Sequence, residues 1–211
     1  FTPERSVLVI SGDIGRKDAL RLAGKAFSKW KGSGAGAAGF EYVDSETGGK
    51  GRVVVIDIPG VSRSQVRVGT VAPARGTDDY FDLKVASNIL GVGFTSRLKK
   101  EIRTRRGLAY HVGSRLDYYG RNGYFSAFAS TGNSTLGETL RGMLEQMGRM
   151  GEEEVSGEEL KGAVRYITGL FPFSLETNGD ICEKVAERHA FISSQGFYDT
   201  FIWKIQKVRA R

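Results

Sequence analysis

Apolar positions recur along the chain with two periods, and these lay out its elements. Residues 6 to 12 (Ser-Val-Leu-Val-Ile-Ser-Gly) form the unbroken apolar run of a buried strand, and Ala19, Leu22, Ala23, Ala26, Phe27 and Trp30 recur at helical spacing over residues 16 to 30. The run Val53 to Ile56 predicts a strand over residues 51 to 58. Val66 and Val68, alternating with Gln65 and Arg67, predict another over residues 64 to 72. Thr77, Asp78 and Asp79 put acceptors and negative charge where the first amides of a helix need them, and Phe81, Val85 and Ile89 carry that helix to Leu90. Gly91-Val92-Gly93 then breaks it. A basic helix is expected from about Phe94 to Arg106, with Phe94, Leu98 and Ile102 on its packed face, cations in its last turn and Gly107 just beyond. Strands at about residues 109 to 118 and 123 to 131, joined through Tyr119-Gly120-Arg121-Asn122, read as a hairpin.

The last third is helical. Leu136, Leu140, Met143, Leu144 and Met147 mark one stripe, and Leu160, Val164, Ile167 and Phe171 mark another, opened by Ser156 and Glu159 as a capping box. Two more helices are expected, one over about residues 179 to 193 with Ile181, Val185 and Ile192, and one over about 198 to 209 with Phe201, Ile205 and Val208. Strands and helices thus come in blocks, which predicts an α+β two-layer sandwich: a largely antiparallel sheet with helices packed on one face. Residues 31 to 50 are mostly Gly, Ala and Ser without periodicity, and are expected to be a flexible connection within one domain covering residues 1 to 211.

Composition narrows the chemistry. A chain of 211 residues, 40% hydrophobic, can bury a large core. With 26% charged residues and no apolar run near the ~20 residues a bilayer requires, no membrane span is expected. The start, Phe1-Thr2-Pro3-Glu4-Arg5-Ser6, lacks the basic and apolar stretches of a signal peptide, and the single cysteine, Cys182, excludes an internal disulfide or a multi-cysteine zinc cluster. The compartment, bacterial periplasm or cytoplasm, stays open. The net charge of +7 is densest from Arg97 to Arg106, which raises nucleic acid as a partner; the four-residue spacing of Phe94, Leu98 and Ile102 favours instead the solvated face of a packed helix.

Most short motifs fail for lack of context. Gly34-Ala35-Gly36-Ala37-Ala38-Gly39 spells a dinucleotide fingerprint, but a helix precedes it and none follows to meet a phosphate. His111 and His189 have no HxxEH or HxxxH partner, Cys182 lies inside a helix pattern, and no GxSxG elbow presents a serine. Met143, Met147 and Met150 fall in a helix stripe, as core residues do.

One segment remains: Asn88-Ile89-Leu90-Gly91-Val92-Gly93-Phe94-Thr95-Ser96-Arg97-Leu98, then Arg103-Thr104-Arg105-Arg106-Gly107-Leu108-Ala109-Tyr110. This glycine turn, Ser-Arg-Leu helix start, and Arg followed seven positions on by Tyr resembles the non-zinc domain of the M16 (pitrilysin and processing-peptidase) metallopeptidase family. Val7 to Asp13, Phe27 with Trp30, and Gln65 to Gly69 resemble its flanking elements. The resemblance implies a LuxS/processing-peptidase-like metallohydrolase fold and a domain that closes over a peptide held by a zinc-bearing half, on the same chain or another. Arg103 and Tyr110 would then reach the substrate near the scissile bond, and Gly91, Val92 and Gly93 would line the cavity. No metal is expected in this chain, zinc being carried by the partner half, so that the chain alone is inactive; a homodimer is also compatible. The chain departs from the family pattern at Thr104, where a glutamate is common, at Val92 between the glycines, and at Arg211, before the usual final helix and strand, as a fragment of a longer peptidase or one subunit of a pair would. A noncatalytic assembly subunit of the same fold and a nucleic-acid binder are the other readings.

Overall fold

The computed structural model describes residues 2–32, 51–75, 77, 79–119, 122–191 and 196–210. Three strands, β1 (Arg63–Pro73), β2 (Ala109–Tyr119) and β3 (Asn122–Gly132), form an antiparallel sheet in the order β1-β3-β2. Its register sets Val66 and Val112 opposite Ala129, and Val68 and Ser114 opposite Ala127, so small and branched residues share one face. That face packs on Leu90, Leu98, Ile102 and Met143. The other face carries Gln65, Arg67, His111 and Arg115, all exposed, which is the polar-out alternation of a half-buried antiparallel sheet.

Among the described residues six α-helices accompany the sheet: α1 (Arg16–Phe27), α2 (Asp79–Ser87), α3 (Leu136–Glu152), α4 (Gly157–Leu170), α5 (Asn178–Phe191) and α6 (Phe201–Lys207). A second core, between α2, α4 and α6, gathers Tyr80, Phe81, Val85, Ile89, Ala163, Ile167, Phe197, Phe201 and Ile205. Ile89 belongs to this core and Leu90 to the sheet core, so two consecutive residues after α2 join the layers. The α+β sandwich expected from the block order of elements is the observed fold.

Local chemistry explains several boundaries. Ser156 Oγ accepts from the Glu159 amide at 3.2 Å while Glu159 Oε2 accepts from the Ser156 amide at 3.2 Å, the expected capping box of α4. Thr177 and Asp180 make the same reciprocal pair before α5. α3 approaches Ile102 at Gly142, where an added Cβ would fall 2.6 Å from the isoleucine Cδ1.

The sequence reading is corrected at several places. Residues 6 to 12 and 51 to 58 form no strand; Val53 and Val55 are 88% and 85% exposed, and the β1 edge away from β3 has no partner among the described residues. An apolar run signals a need for burial, whereas a strand also requires pairing in register, and neither run pairs with that open edge. The first helix ends at Phe27 rather than Trp30, whose ring instead packs 5.6 Å from that of Phe27. The basic helix starts at Arg97, leaving Phe94 in a turn and 78% exposed, so only Leu98 and Ile102 of its expected face are buried. On α3 the buried positions are Thr139, Gly142, Met143 and Gln146; Leu136 and Leu144 lie on the exposed flank because small and polar residues occupy the close contact. The glycine-rich string 34–39, most of the connection 31–50, Asp78, the Gly120-Arg121 turn and Ile192 lie outside the described residues. No helix among the described residues is long and apolar enough to cross a membrane.

Two predictions follow from this packing. At Gly91 a Cβ would press on the Ser114 amide and lie 2.6 Å from the Gly113 carbonyl carbon, whereas at Gly162, inside α4, it would meet nothing within 4 Å. Gly91→Ala should therefore destabilise the chain by about 2–3 kcal/mol and Gly162→Ala stabilise it by roughly 0.5–1 kcal/mol, read by urea denaturation; equal midpoints would remove the close approach as a constraint. The second concerns Glu159, which the Arg97 hydrogen bonds hold down to about 2, against the opposing effect of burial. A carboxyl depressed on folding contributes stability above its unfolded pKa and loses it as pH falls toward the folded value. Glu159→Gln should thus cost about 1–2 kcal/mol at neutral pH, allowing for solvent screening, and flatten the acid limb between about pH 5 and pH 2; an unchanged limb would show that the pair is not coupled to folding.

Candidate functional site

Two π-helical stretches, Asn88–Val92 and Lys99–Arg105, carry the chain from α2 to β2. The Gly93 amide donates to the Asn88 carbonyl at 2.9 Å and the Arg106 amide to that of Glu101 at 3.1 Å, each spanning five residues. Such widened turns re-aim the side chains around them and recur at functional sites.

Fastenings to every neighbouring element hold this segment. Gly91 is buried against the β2 backbone, and the Ser114 hydroxyl on β2 donates to the Ser87 carbonyl at 2.8 Å. Arg97 makes a bidentate pair with Glu159 at the start of α4, Nε to Oε1 at 2.7 Å and Nη2 to Oε2 at 2.9 Å. Arg106 binds Glu101 at 2.6 Å and Glu145 of α3 at 3.2 Å, and Arg105 also binds Glu101 at 2.6 Å. Lys99 Nζ donates back to the Val92 and Gly93 carbonyls at 2.8 and 3.1 Å, closing the glycine turn. Burial, and secondarily the adjacent Arg103 charge, holds the Lys99 ammonium below the usual lysine range.

The corner that follows is equally determined. Gly107 has φ +64°, a conformation that strains residues with a Cβ. The Leu108 amide donates to the Ile102 carbonyl at 2.9 Å, and the Leu108 carbonyl accepts from Thr131 Oγ1 at 2.7 Å. Thr131 and its partner Thr139, 2.9 Å away, are both fully buried. Strand pairing then runs from Ala109–Thr131 to His111–Ser130, which leaves Tyr110 as the extra residue of a β-bulge on the edge strand.

The structure brings Arg103 and Tyr110 together: the guanidinium carbon lies 4.7 Å from the centre of the phenol ring, and Tyr110 is 79% exposed. Arg97, Arg105 and Arg106 each have a carboxylate; Arg103, among the described residues, has the ring alone. Its donors are therefore available to an added acceptor, with the ring fixing their plane. Of the glycine turn, Gly91 is buried in packing, Val92 is 41% exposed, and Gly93 closes on Asn88, where a Cβ would lie 3.0 Å from both its oxygens. Of the six cations from Arg97 to Arg106, three are held in ion pairs among the described residues.

Sequence reading missed three residues that orient this site. Lys99 looked like one more surface cation, and its contact with the turn is a tertiary one. Thr131 has no local signature; a buried hydroxyl in a strand declares itself only through its partners. Glu159 read as a cap alone, and its second role depends on Arg97, 62 residues away.

Zinc chemistry does not fit the side chains present. His111 lies 5.0 Å from the Phe128 ring, His189 sits on α5, and among the described residues no three His, Cys, Asp or Glu side chains converge. No zinc-dependent step is assigned to them.

Comparison with known proteins identifies the family. Residues 1–167 match the family model described as the peptidase M16 inactive domain. An uncharacterized zinc protease of Mycobacterium bovis is 28% identical over 168 residues, 78% of this chain and 38% of the relative. The uncharacterized zinc protease YmxG of Bacillus subtilis is 23% identical over 208 residues, 99% of this chain and 49% of the relative. The chain therefore spans half or less of the length of these relatives. Among solved structures, a protease from Helicobacter pylori superimposes with a TM-score of 0.83 at 20% identity, over 94% of this chain and 48% of that one. A peptidase M16 inactive domain from Pseudomonas fluorescens gives 0.72 at 20%, over 94% and 46%. These structures share the fold, and with a family match across most of its length the chain belongs to the M16 peptidases, as an inactive domain of that family.

Proposed function

We propose that this domain closes over a peptide held by a zinc-bearing M16 half and assists its cleavage through Arg103 and Tyr110. The observation that carries the reading is the pairing of an exposed phenol with the one arginine of the segment Arg97–Arg106 that lacks a carboxylate partner among the described residues. A guanidinium and a phenol are donors suited to a substrate carbonyl or to the oxyanion it becomes, and donors fixed beforehand need no reorganisation during the reaction. The π-helical stretch and the bulge supply that fixity, the first for Arg103 and the second for Tyr110. Lys99 acts as a positioning residue: it ties the glycine turn to the helix that carries Arg103. In this reading the turn around Val92 and Gly93 borders the peptide path, and zinc and the residues that bind it belong to the other half.

The test uses the assembled protease, this domain together with its zinc-bearing half. Arg103→Ala and Tyr110→Phe should each lower kcat by about 10²–10³-fold while leaving complex formation intact, because the lost donor acts on the transition state. A variant that assembles and cleaves at the parental rate would take that residue out of the mechanism.

A further inference from the structure

A cavity of about 400 Å³ separates the distal half of β2 from α2, α4, α5 and α6. Leu116, Ile167, Leu170 and Phe171 give it apolar walls, and Arg75, Lys84, Tyr118, Lys184 and Tyr198 supply its polar groups. It touches Val92 of the glycine turn but neither Arg103 nor Tyr110.

Donors outnumber acceptors here. A single oxygen, Glu187 Oε2, receives Arg75 Nη2 at 3.2 Å, Lys184 Nζ at 3.1 Å and the Tyr198 hydroxyl at 2.8 Å. Lys84 has no oxygen acceptor among the described residues; its ammonium lies 5.9 Å from the Tyr80 ring and 6.0 Å from that of Phe201. Burial, with the charges of Arg75 and Lys184, holds that ammonium below the usual lysine range. Arg75 Nε and the Tyr118 hydroxyl are buried without a hydrogen-bond partner. Arg115, also on the wall, is neutralised by Asp117 at 2.7 Å. Two cations, Arg75 and Lys184, therefore share one carboxylate, Glu187, while Lys84 stands beside them without one, in a partly desolvated space.

Buried donors without acceptors are costly, and an acceptor-only group entering the cavity would relieve several at once. Lys84, Arg75 and Tyr118 stand on different elements around one space, and the hydrocarbon walls beside them suit an apolar body rather than a bare, strongly hydrated ion. We propose that this cavity binds an organic carboxylate, its anionic end held by Lys84, Arg75 and Tyr118 and its aromatic or aliphatic body lying along Leu170 and Phe171. The volume is within the range of small-ligand sites, roughly 300–1,000 Å³.

Calorimetric titration of the chain with 3-phenylpropionate, its neutral amide 3-phenylpropanamide, and inorganic phosphate tests this. The acid should bind with a Kd below about 1 mM and raise the melting temperature, with the amide and phosphate each at least about tenfold weaker. Tyr118→Phe and Lys84→Met should each weaken the acid about fivefold or more without lowering the melting temperature of the unliganded chain, since each removes a group that lacks an acceptor. Absence of acid binding up to about 10 mM, equal binding of the amide, equal binding of phosphate, or undiminished affinity in both variants would overturn the proposal.

Discussion

Gly91 and Gly113 meet where the turn after α2 lies on the edge strand β2. An added Cβ on the first would press into β2 backbone, and one on the second would lie 3.1 Å from the Gly91 carbonyl oxygen and 3.1 Å from the Phe128 ring. This approach brings the Ser114 hydroxyl onto the Ser87 carbonyl and lets Ile89 and Leu90 enter different cores. Both layers of the sandwich therefore depend on two missing side chains, and the path of the chain from Gly91 to Tyr110 begins at that contact. Backbone-to-backbone packing of this kind cannot relax by a rotamer change, so it transmits position rigidly.

From that origin the segment is held by charge pairs to α4 and α3, by Lys99 on its own turn, and by a buried threonine hydroxyl on the corner carbonyl. Each fastening uses up a polar group. Of the segment's four arginines, Arg103 is the one without a carboxylate among the described residues, and its guanidinium lies over an exposed phenol. A site of this type needs donors that are fixed yet unsatisfied by the protein, and the surrounding pairs supply the first condition without violating the second.

The sequence made some of this legible and hid the rest for physical reasons. Helical periods were strong where one stripe meets one core, as at Phe81, Val85 and Ile89, all buried. The hairpin and the α4 capping box were local, and both are present. Phe94 misled because four-residue spacing is blind to where a helix starts. Residues 6 to 12 and 51 to 58 misled because hydrophobicity specifies burial without specifying a partner edge. Arg103 and Tyr110 came from a family pattern; their contact, the π-helical widening and the bulge are tertiary and register effects that no residue spacing encodes. The long-range partners of Arg97 and Leu108, namely Glu159 and Thr131, were invisible for the same reason.

Membership in the M16 family as an inactive domain leaves one central claim to be settled: that the corner at Tyr110 faces the peptide in the assembled protease. Incorporating the photoreactive amino acid p-benzoylphenylalanine in place of Tyr110, and separately in place of Tyr119, which is 57% exposed and about 30 Å along the same strand, gives matched probes. Irradiation with a labelled peptide in the presence of the zinc-bearing half should cross-link the peptide at position 110 and not at position 119. Equal labelling at both positions, or none at position 110 in a competent complex, would contradict the account.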